Sequence, residues 1–499
     1  MIRSALLAVT AALCPLTALA DDQTLDIAAP FELKGLDPAL SGDIFLRLEI
    51  AETLVDSDAK GRLRPGLATE WTTSEDGLEW RFRIREGVAF HDGTMLDAAA
   101  AAISLNHARS HEGLLSRAPI TDIRADGADL VVALSEPFAI LPAFLAEYRS
   151  QILAPASYGP DGEVVALIGT GAFRTTEVSP PQTLAAERFE DYWDGAARIP
   201  ALRYTAVTRS ETRALMAESG DAELVVTLDP ASVTRLSELE DLEVVSAPLP
   251  RVLMLKVDAA SPFFDSAAER EALSMAIDRA GLAQVVLRYD ASADQMFPPN
   301  MDGWHDAALP PLSYDPEAAR ALLEQAGWTP GDDGIMQKDG QRFAVELVTY
   351  PDRPELPLTA TVLQQLFHDI GVDIRIVSSN SSEIPARHAA GTLQMGLMAR
   401  NFALVPDPTG TLLQDYAPGG DWGAMGWDNP EAAQLIRRMA SEGATPGDRA
   451  RIAAIFRQDL PVIPIAWYQQ TAAISDRVEG ITLDPYERGF GLARAGFVE

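Results

Sequence analysis

Two α/β lobes are the architecture this sequence predicts, and three observations carry the expectation. Strand-like and helix-like segments alternate along the chain. They fall into two blocks that part near Val252. The 499 residues are enough to bury two or three cores, and no internal repeat, low-complexity tract or flexible linker interrupts them.

In the first block, residues 24–31 read as a strand and Leu36-Asp37-Pro38 as a turn. Ile44, Leu48, Ala51 and Leu54 recur at helical spacing, so a helix is expected over 44–55. The stretch 65–98 concentrates several signals. Pro65-Gly66 opens it, an apolar run closed by Trp71 reads as a helix end, and Glu75-Asp76-Gly77 reads as a turn. Trp80, Phe82 and Ile84 then alternate with Arg81, Arg83 and Arg85, the period of a half-buried strand. Asp97 is placed to cap a helix over about 97–111. A hairpin is expected around Asp126-Gly127 and a helix at about 138–147. Strands follow at 183–188 and 201–207, then a helix over 210–219 stopped by Gly220 and a buried strand over 224–228.

The second block opens at the apolar run 252–257. A helix is expected from Ala267 to about Tyr289. Asp315-Pro316 reads as N-cap and first helical residue, with Gly327 just past the end. Next come a strand at 345–349, a helix over 358–370 stopped by Gly371, and a strand at 372–377. Helices start at Asn429-Pro430 and Gly447-Asp448, and a strand runs over 462–467. The tail from Gln469 returns to the first block.

Composition excludes some partners. A formal charge of −33 opposes binding to nucleic acid or docking on anionic lipid. Arg3, the apolar run 5–16 and Ala18-Leu19-Ala20 read as a signal peptide cleaved after Ala20, so the mature chain is expected in the periplasm. The one cysteine, Cys14, lies inside that leader, and Leu13 stands where a lipoprotein anchor needs a small residue. The mature chain therefore has no disulfide and relies on its core.

Catalytic patterns are missing. There is no G-x-S-x-G elbow and no Walker A loop, and Gly169-Thr170-Gly171 lacks the third glycine of a dinucleotide loop. His107 and His111 stand four apart on the helix expected at 97–111, a spacing two metal ligands would use. No carboxylate lies between them, and they read as an exposed pair. No cofactor, resident metal or catalytic residue is expected.

The word order of residues 67–98, LATEW…EDGLEWRFRIREGVAFHDGTMLDA, resembles the signature of the family 5 extracellular solute-binding proteins, the peptide/nickel class that serves ABC importers. Other segments match in order: Gly169–Phe173, Glu187-Arg188-Phe189 with Tyr192-Trp193, Glu271–Leu273 with Ala276–Arg279, and Tyr314–Trp328. The resemblance implies a two-lobed periplasmic binding protein of the class II type, with an inserted subdomain at about 45–165. Residues 21–252 plus 468–499 would form lobe I and 253–467 lobe II, with a ligand cleft between them. It also implies a monomer that hands a small solute to a membrane permease. A secreted hydrolase and a binding protein that acts only in signalling are the alternatives.

The same resemblance directs attention to 396–428. Peptide-binding members hold the ligand's α-ammonium with an aspartate where this chain has Leu404, and nickel-binding members carry a tyrosine and a histidine where it has Pro406 and, roughly, Gly419-Gly420. Arg400 matches an arginine of nickel- and metallophore-binding relatives, and Arg149 aligns near another cleft arginine. Arg400 would clamp a carboxylate, Asn401 would add a hydrogen bond, and Phe402, Trp422 and Trp427 would wall the ligand's apolar part. A metal chelate, an opine-like compound and a short peptide are the contending ligands.

Overall fold

The computed structural model describes residues 23–498, apart from 352, 403, 418, 419 and 421. The expected leader, its cleavage site and Cys14 lie outside the described residues. Among the described residues no helix is long and apolar enough to cross a membrane.

Ten strands form one mixed sheet. In spatial order they are 373–378, 344–349, 395–401, 242–257, 462–475, 224–226, 24–29, 201–206, 183–188 and 173–179. The strands Leu242–Val257 and Val462–Ser475 lie side by side at its centre and run antiparallel from Leu242 opposite Ser475 to Lys256 opposite Val462. Their register breaks between Pro248 and Val252. Beyond the break, Arg251–Val257 also pairs with Met395–Asn401, which leaves Leu249–Val257 buried throughout. A strand covered on both faces favours an apolar run, and this one is apolar apart from Arg251 and Lys256.

Separate apolar cores pack around this sheet. One joins residues between Val252 and Ala466, another joins the first strand with 153–226 and the tail to Ala495. A third core lies in 54–154, with Val405 and Ala440 packed into it. Its sheet has the order 68–73, 79–84, 129–134, 120–126. Trp80, Phe82 and Ile84 are buried as the alternation requires, while Arg81 and Arg83 pair on the other face with Asp126 (2.9 Å) and Asp129 (2.5 Å). The two-lobed α/β fold with an extra subdomain is thus observed.

Several caps sit as expected. Asp97 accepts from the Ala100 amide (2.8 Å) at the head of helix Ala98–Ser110, and Asp315 does the same for Ala318 (2.9 Å) at the head of Pro316–Gln325. Gly220 ends helix Ser210–Ser219 at φ +72°, a conformation that costs a glycine nothing.

Other elements differ, for local reasons. The helix expected over 44–55 is Pro38–Arg47, because Asp37-Pro38 is a cap followed by a first-turn proline, not a turn, and the chain reverses at Glu49 (φ +55°). The run ending at Trp71 belongs to the strand Ala68–Thr73. Only one turn, Leu141–Phe144, forms in the helix expected at 138–147. The long helix expected to reach Tyr289 stops at Met275, since Asp278 turns its carboxylate onto the Gly281 amide (2.8 Å) and caps a new start. Gly169 and Gly171 have a packing role. A Cβ on either would collide with the backbone carbonyls of Ile50 and Glu49.

Candidate ligand-binding cleft

A cavity of about 1070 Å³ opens between segments of the two blocks. From the first come the loop at 30–34, helix Pro38–Arg47, the turn Tyr148–Ser150 and the tail residues Tyr486–Arg488. From the second come Tyr350, Pro351, Arg353, Pro354, Ala399–Asn401, Leu404, Pro406 and Trp422, with Arg251 projecting from the long central strand. Tyr350 and Pro351 follow the C-terminal end of a strand, where open α/β sheets hold their ligands. A second cavity of about 120 Å³ adjoins it and shares Arg251, Arg353 and Glu487.

Its charge is opposite to that of the chain. Among the described lining residues nine are Lys or Arg and four are Asp or Glu. Glu487 sits at the centre of the basic group. Its carboxylate accepts from Arg47 Nη2 (3.3 Å), Arg251 Nη2 and Asn401 Nδ2 (3.2 Å), and its carbonyl accepts from Arg47 Nε (2.9 Å). Burial alone would raise this carboxyl, but Arg251, Arg47 and Arg353 hold it below its ordinary value. The residue adopts φ +56°, which a side chain this large rarely takes unless its surroundings fix it.

Four of the expected site residues reach the cavity wall: Arg400, Asn401, Trp422 and Arg149. Arg400 is already engaged. Its Nε and Nη2 donate to the two oxygens of Asp415 (2.5 and 2.7 Å), Nη2 also reaches Gln414 (3.1 Å), and the guanidinium lies 5.7 Å from the Trp422 ring centre. Arg149 leans over Tyr148 (5.2 Å), and its nearest carboxylate, Glu147, is 3.8 Å away. Its Nε is buried with no hydrogen bond.

Phe402 and Trp427 stand elsewhere. Phe402 is fully buried, edge-on to Phe297 (5.3 Å), because an aromatic just past a strand gains most by entering the core. Trp427 packs against Phe456 (5.9 Å) and its indole N–H donates to Asp459 (3.0 Å). Neither lines the cavity.

Sequence reasoning missed Arg47, Arg251, Arg353, Arg488 and Glu487. Arg353 carried a usable signal, a cation in the loop just after a strand and before a helix. Glu487 and Arg488 carried none, since only the returning tail brings them to the cleft. Arg353 lies 5.0 Å from the Tyr468 ring, and among the described residues no carboxylate comes within 4 Å of it. Burial works against its charge, but Tyr468, Tyr350, Glu355 and Glu487 outweigh that and raise its pKa.

A two-lobed α/β protein with a basic cleft between its lobes is a solute-binding protein in form. Comparison with known proteins agrees. The family model described as "Bacterial extracellular solute-binding proteins, family 5 Middle" matches residues 62–423. The nickel-binding periplasmic protein of Escherichia coli (strain K12) is 30% identical over 408 residues, 76% of each chain. The glutathione-binding protein GsiB of Salmonella typhimurium is 26% identical over 339 residues, 66% of this chain and 63% of that one. Among solved structures, NikA from Brucella suis in complex with Fe(III)-EDTA superposes with a TM-score of 0.84 at 22% identity, covering 95% of this chain and 100% of that one. AppA from Bacillus subtilis in complex with a nonapeptide gives 0.80 at 18% identity, covering 95% and 99%. The chain belongs to the family 5 bacterial extracellular solute-binding proteins. It is a substrate-binding protein of the nickel/peptide class of ABC transporters.

Proposed function

We propose that this protein captures a small solute bearing two or more carboxylates, a metal chelate or opine-like compound, in preference to a peptide with a free N terminus. The surplus of guanidinium groups in the cleft of a strongly acidic chain is the observation that carries this reading. Arginine forks suit carboxylates, and a cavity that excludes water strengthens each pairing. Leu404 stands at the wall where peptide-binding members keep an aspartate, and Glu487, the central acid, already serves Arg47, Arg251 and Asn401. An ammonium at position 404 would find no carboxylate from that side chain, and burying it without one is costly. Histidine is missing from the described lining, so any metal would arrive inside its chelator.

Arg353 and Arg149 are the groups we assign to the ligand: neither has a carboxylate within hydrogen-bond distance of its guanidinium among the described residues. Of the lining cations that share this property, Lys34 and Arg209 are exposed, while Arg213 spends its donors on backbone carbonyls. Arg400, Asn401 and Trp422 shape the wall. Residues 21–252 with 468–499, and 253–467, would move as the two lobes about the register break at Pro248–Val252. Binding would proceed by closure with no covalent step, and the monomeric, periplasmic protein would deliver its solute to an inner-membrane permease.

A thermal-shift screen of the mature protein tests the reading. It would include dipeptides, tripeptides, opines, free Ni²⁺, and Ni²⁺ with histidine or citrate. A ligand that binds only the folded state raises the melting point by mass action. Shifts with carboxylate-rich chelates or opines are expected. A shift confined to peptides would overturn the proposal.

A further inference from the structure

His107 and His111 acquire a third companion in the fold. Asp37, 70 residues upstream, caps helix Pro38–Arg47, and its Oδ2 lies 2.8 Å from His107 Nε2 and 3.7 Å from His111 Nε2. The two imidazole rings are 4.5 Å apart between centres. One donor atom from each residue falls within 4.8 Å of the others, and among the described residues no other trio does so. None of the three lines the ligand cleft.

Two of the donors are also oriented by their neighbours. Asp37 Oδ1 accepts from the Ala39 amide (2.8 Å), which fixes the carboxylate with Oδ2 toward the histidines. His111 Nδ1 sits 3.0 Å from the His107 carbonyl. A carbonyl only accepts, so Nδ1 carries the proton and Nε2 presents its lone pair, whereas His107 Nε2 donates to the Asp37 carboxylate and an ion would take the place of that proton. Such outer contacts are how proteins aim metal ligands. Donor atoms bound at tetrahedral or octahedral angles to one ion are about 3 Å apart, given metal–ligand bonds of about 2.0–2.1 Å. The observed 2.8 and 3.7 Å bracket that value. The side chains of Asp37 and His107 are 14% exposed, that of His111 40%, so an ion has a solvent path and one ligand free to adjust.

We infer that Asp37, His107 and His111 form a divalent transition-metal site, separate from the ligand cleft. Two imidazoles and one carboxylate favour Zn²⁺, Ni²⁺, Co²⁺ or Cu²⁺ over Mg²⁺ or Ca²⁺, which prefer all-oxygen shells. The ion would clip the head of helix Pro38–Arg47 to the end of helix Ala98–Ser110. The first of these helices carries Asp43 and Arg47 into the cleft wall, so the clip would brace one side of it.

The test is calorimetric titration of the tag-free mature protein with Zn²⁺, and with Co²⁺ read by its visible absorption, against three variants. His111→Ala removes an exposed ligand, His107→Gln keeps a hydrogen bond to Asp37, and Asp37→Asn keeps the helix cap. Metal-free melting curves check that each variant folds; should His107→Gln fail, His111→Ala decides. One equivalent is expected to bind the wild type, with imidazole-ligand absorption for Co²⁺. Each variant should weaken it by at least about 10- to 100-fold, the loss seen even for outer partners. Arg353→Ala should bind the ion as the wild type does, which separates this site from the cleft. Three results would overturn the inference: no saturable binding, binding unchanged in both histidine variants, or a loss in those variants that Asp37→Asn does not share.

Discussion

Arg353→Ala isolates the binding role of the cleft. In the structure this guanidinium faces both cavities and pairs with no described carboxylate, while the neighbouring Arg251 cation opposes it. Its removal takes away no close ion pair and relieves a like-charge contact, but it also loses the longer-range attraction of Glu355 and Glu487, so unliganded stability should fall by about 1–2 kcal/mol. A ligand carboxylate at about 4 Å would gain on the order of 4 kcal/mol from this charge at an effective dielectric of 20. Part of that is offset by stripping water from both groups, and about 2–3 kcal/mol should remain. The dissociation constant should then weaken by about 30- to 150-fold. Titration calorimetry with the carboxylate compound that most raises the wild-type melting point would read the loss.

Arg400→Ala is the matched control, and the reason is its partner. Asp415 is fully buried, and each of its carboxylate oxygens accepts from Arg400. Breaking a buried pair from one side typically costs about 3–5 kcal/mol of stability. Arg400→Ala should accordingly lower the unliganded melting point sharply, whereas Arg353→Ala should not. The assignment fails if Arg353→Ala binds as tightly as the wild type, or if Arg400→Ala loses the ligand with its melting point intact.

Glu487→Gln should keep the shape of the central junction while removing the charge that gathers Arg47 and Arg251, and should weaken folding by about 3–5 kcal/mol in denaturant titrations. Burial raises the carboxyls of Glu49, Glu52 and Glu147 to about 7 from the usual 4.5, so the folded state holds protons that the unfolded chain releases between those values. Stability from these groups is therefore full below about 4.5 and is lost as pH rises to about 7, by up to about 3 kcal/mol each. Glu487 is depressed instead, so its contribution is present above 4.5 and falls away below it. Ligand-free melting temperatures should be higher at pH 5.5 than at pH 8; a flat or rising profile would contradict this. Gly171→Ala should cost about 1–3 kcal/mol in thermal melts, because its Cβ would meet the Glu49 carbonyl.

What could be read from the sequence was local. Asp97, Asp315 and Gly220 mark helix ends through contacts within four residues, and the alternation of Trp80, Phe82 and Ile84 needs only one buried face. The site was only half legible, for a matching reason. Arg400 and Trp422 belong to the same stretch and do meet at the cleft, whereas Phe402 is buried in the core and Trp427 packs half-buried against it, away from the cleft. Which side of a strand end faces a cavity depends on what packs behind it, and nothing in residues 396–428 states that. Asp37 illustrates the same limit, since its carboxylate meets His107 only after the helices assemble.

Arginines so numerous in one cavity repel each other, and the structure shows how the cleft tolerates them. Glu487 gathers Arg47 and Arg251, Asp415 engages Arg400, and Asp56 with Thr53 holds Arg488. Each of these carboxylates neutralises a cation that shapes the wall and, in doing so, withdraws it from ligand binding. Arg353 and Arg149 receive no such close carboxylate among the described residues. A cleft that pairs its framework cations and keeps two half-buried guanidinium groups charged without a carboxylate in hydrogen-bond contact would suit an anion. Closure around a dicarboxylate would complete the charge balance that the polypeptide leaves open. A neutral or cationic solute would leave that balance open, and discrimination against it would come from the surplus of cations in the lining.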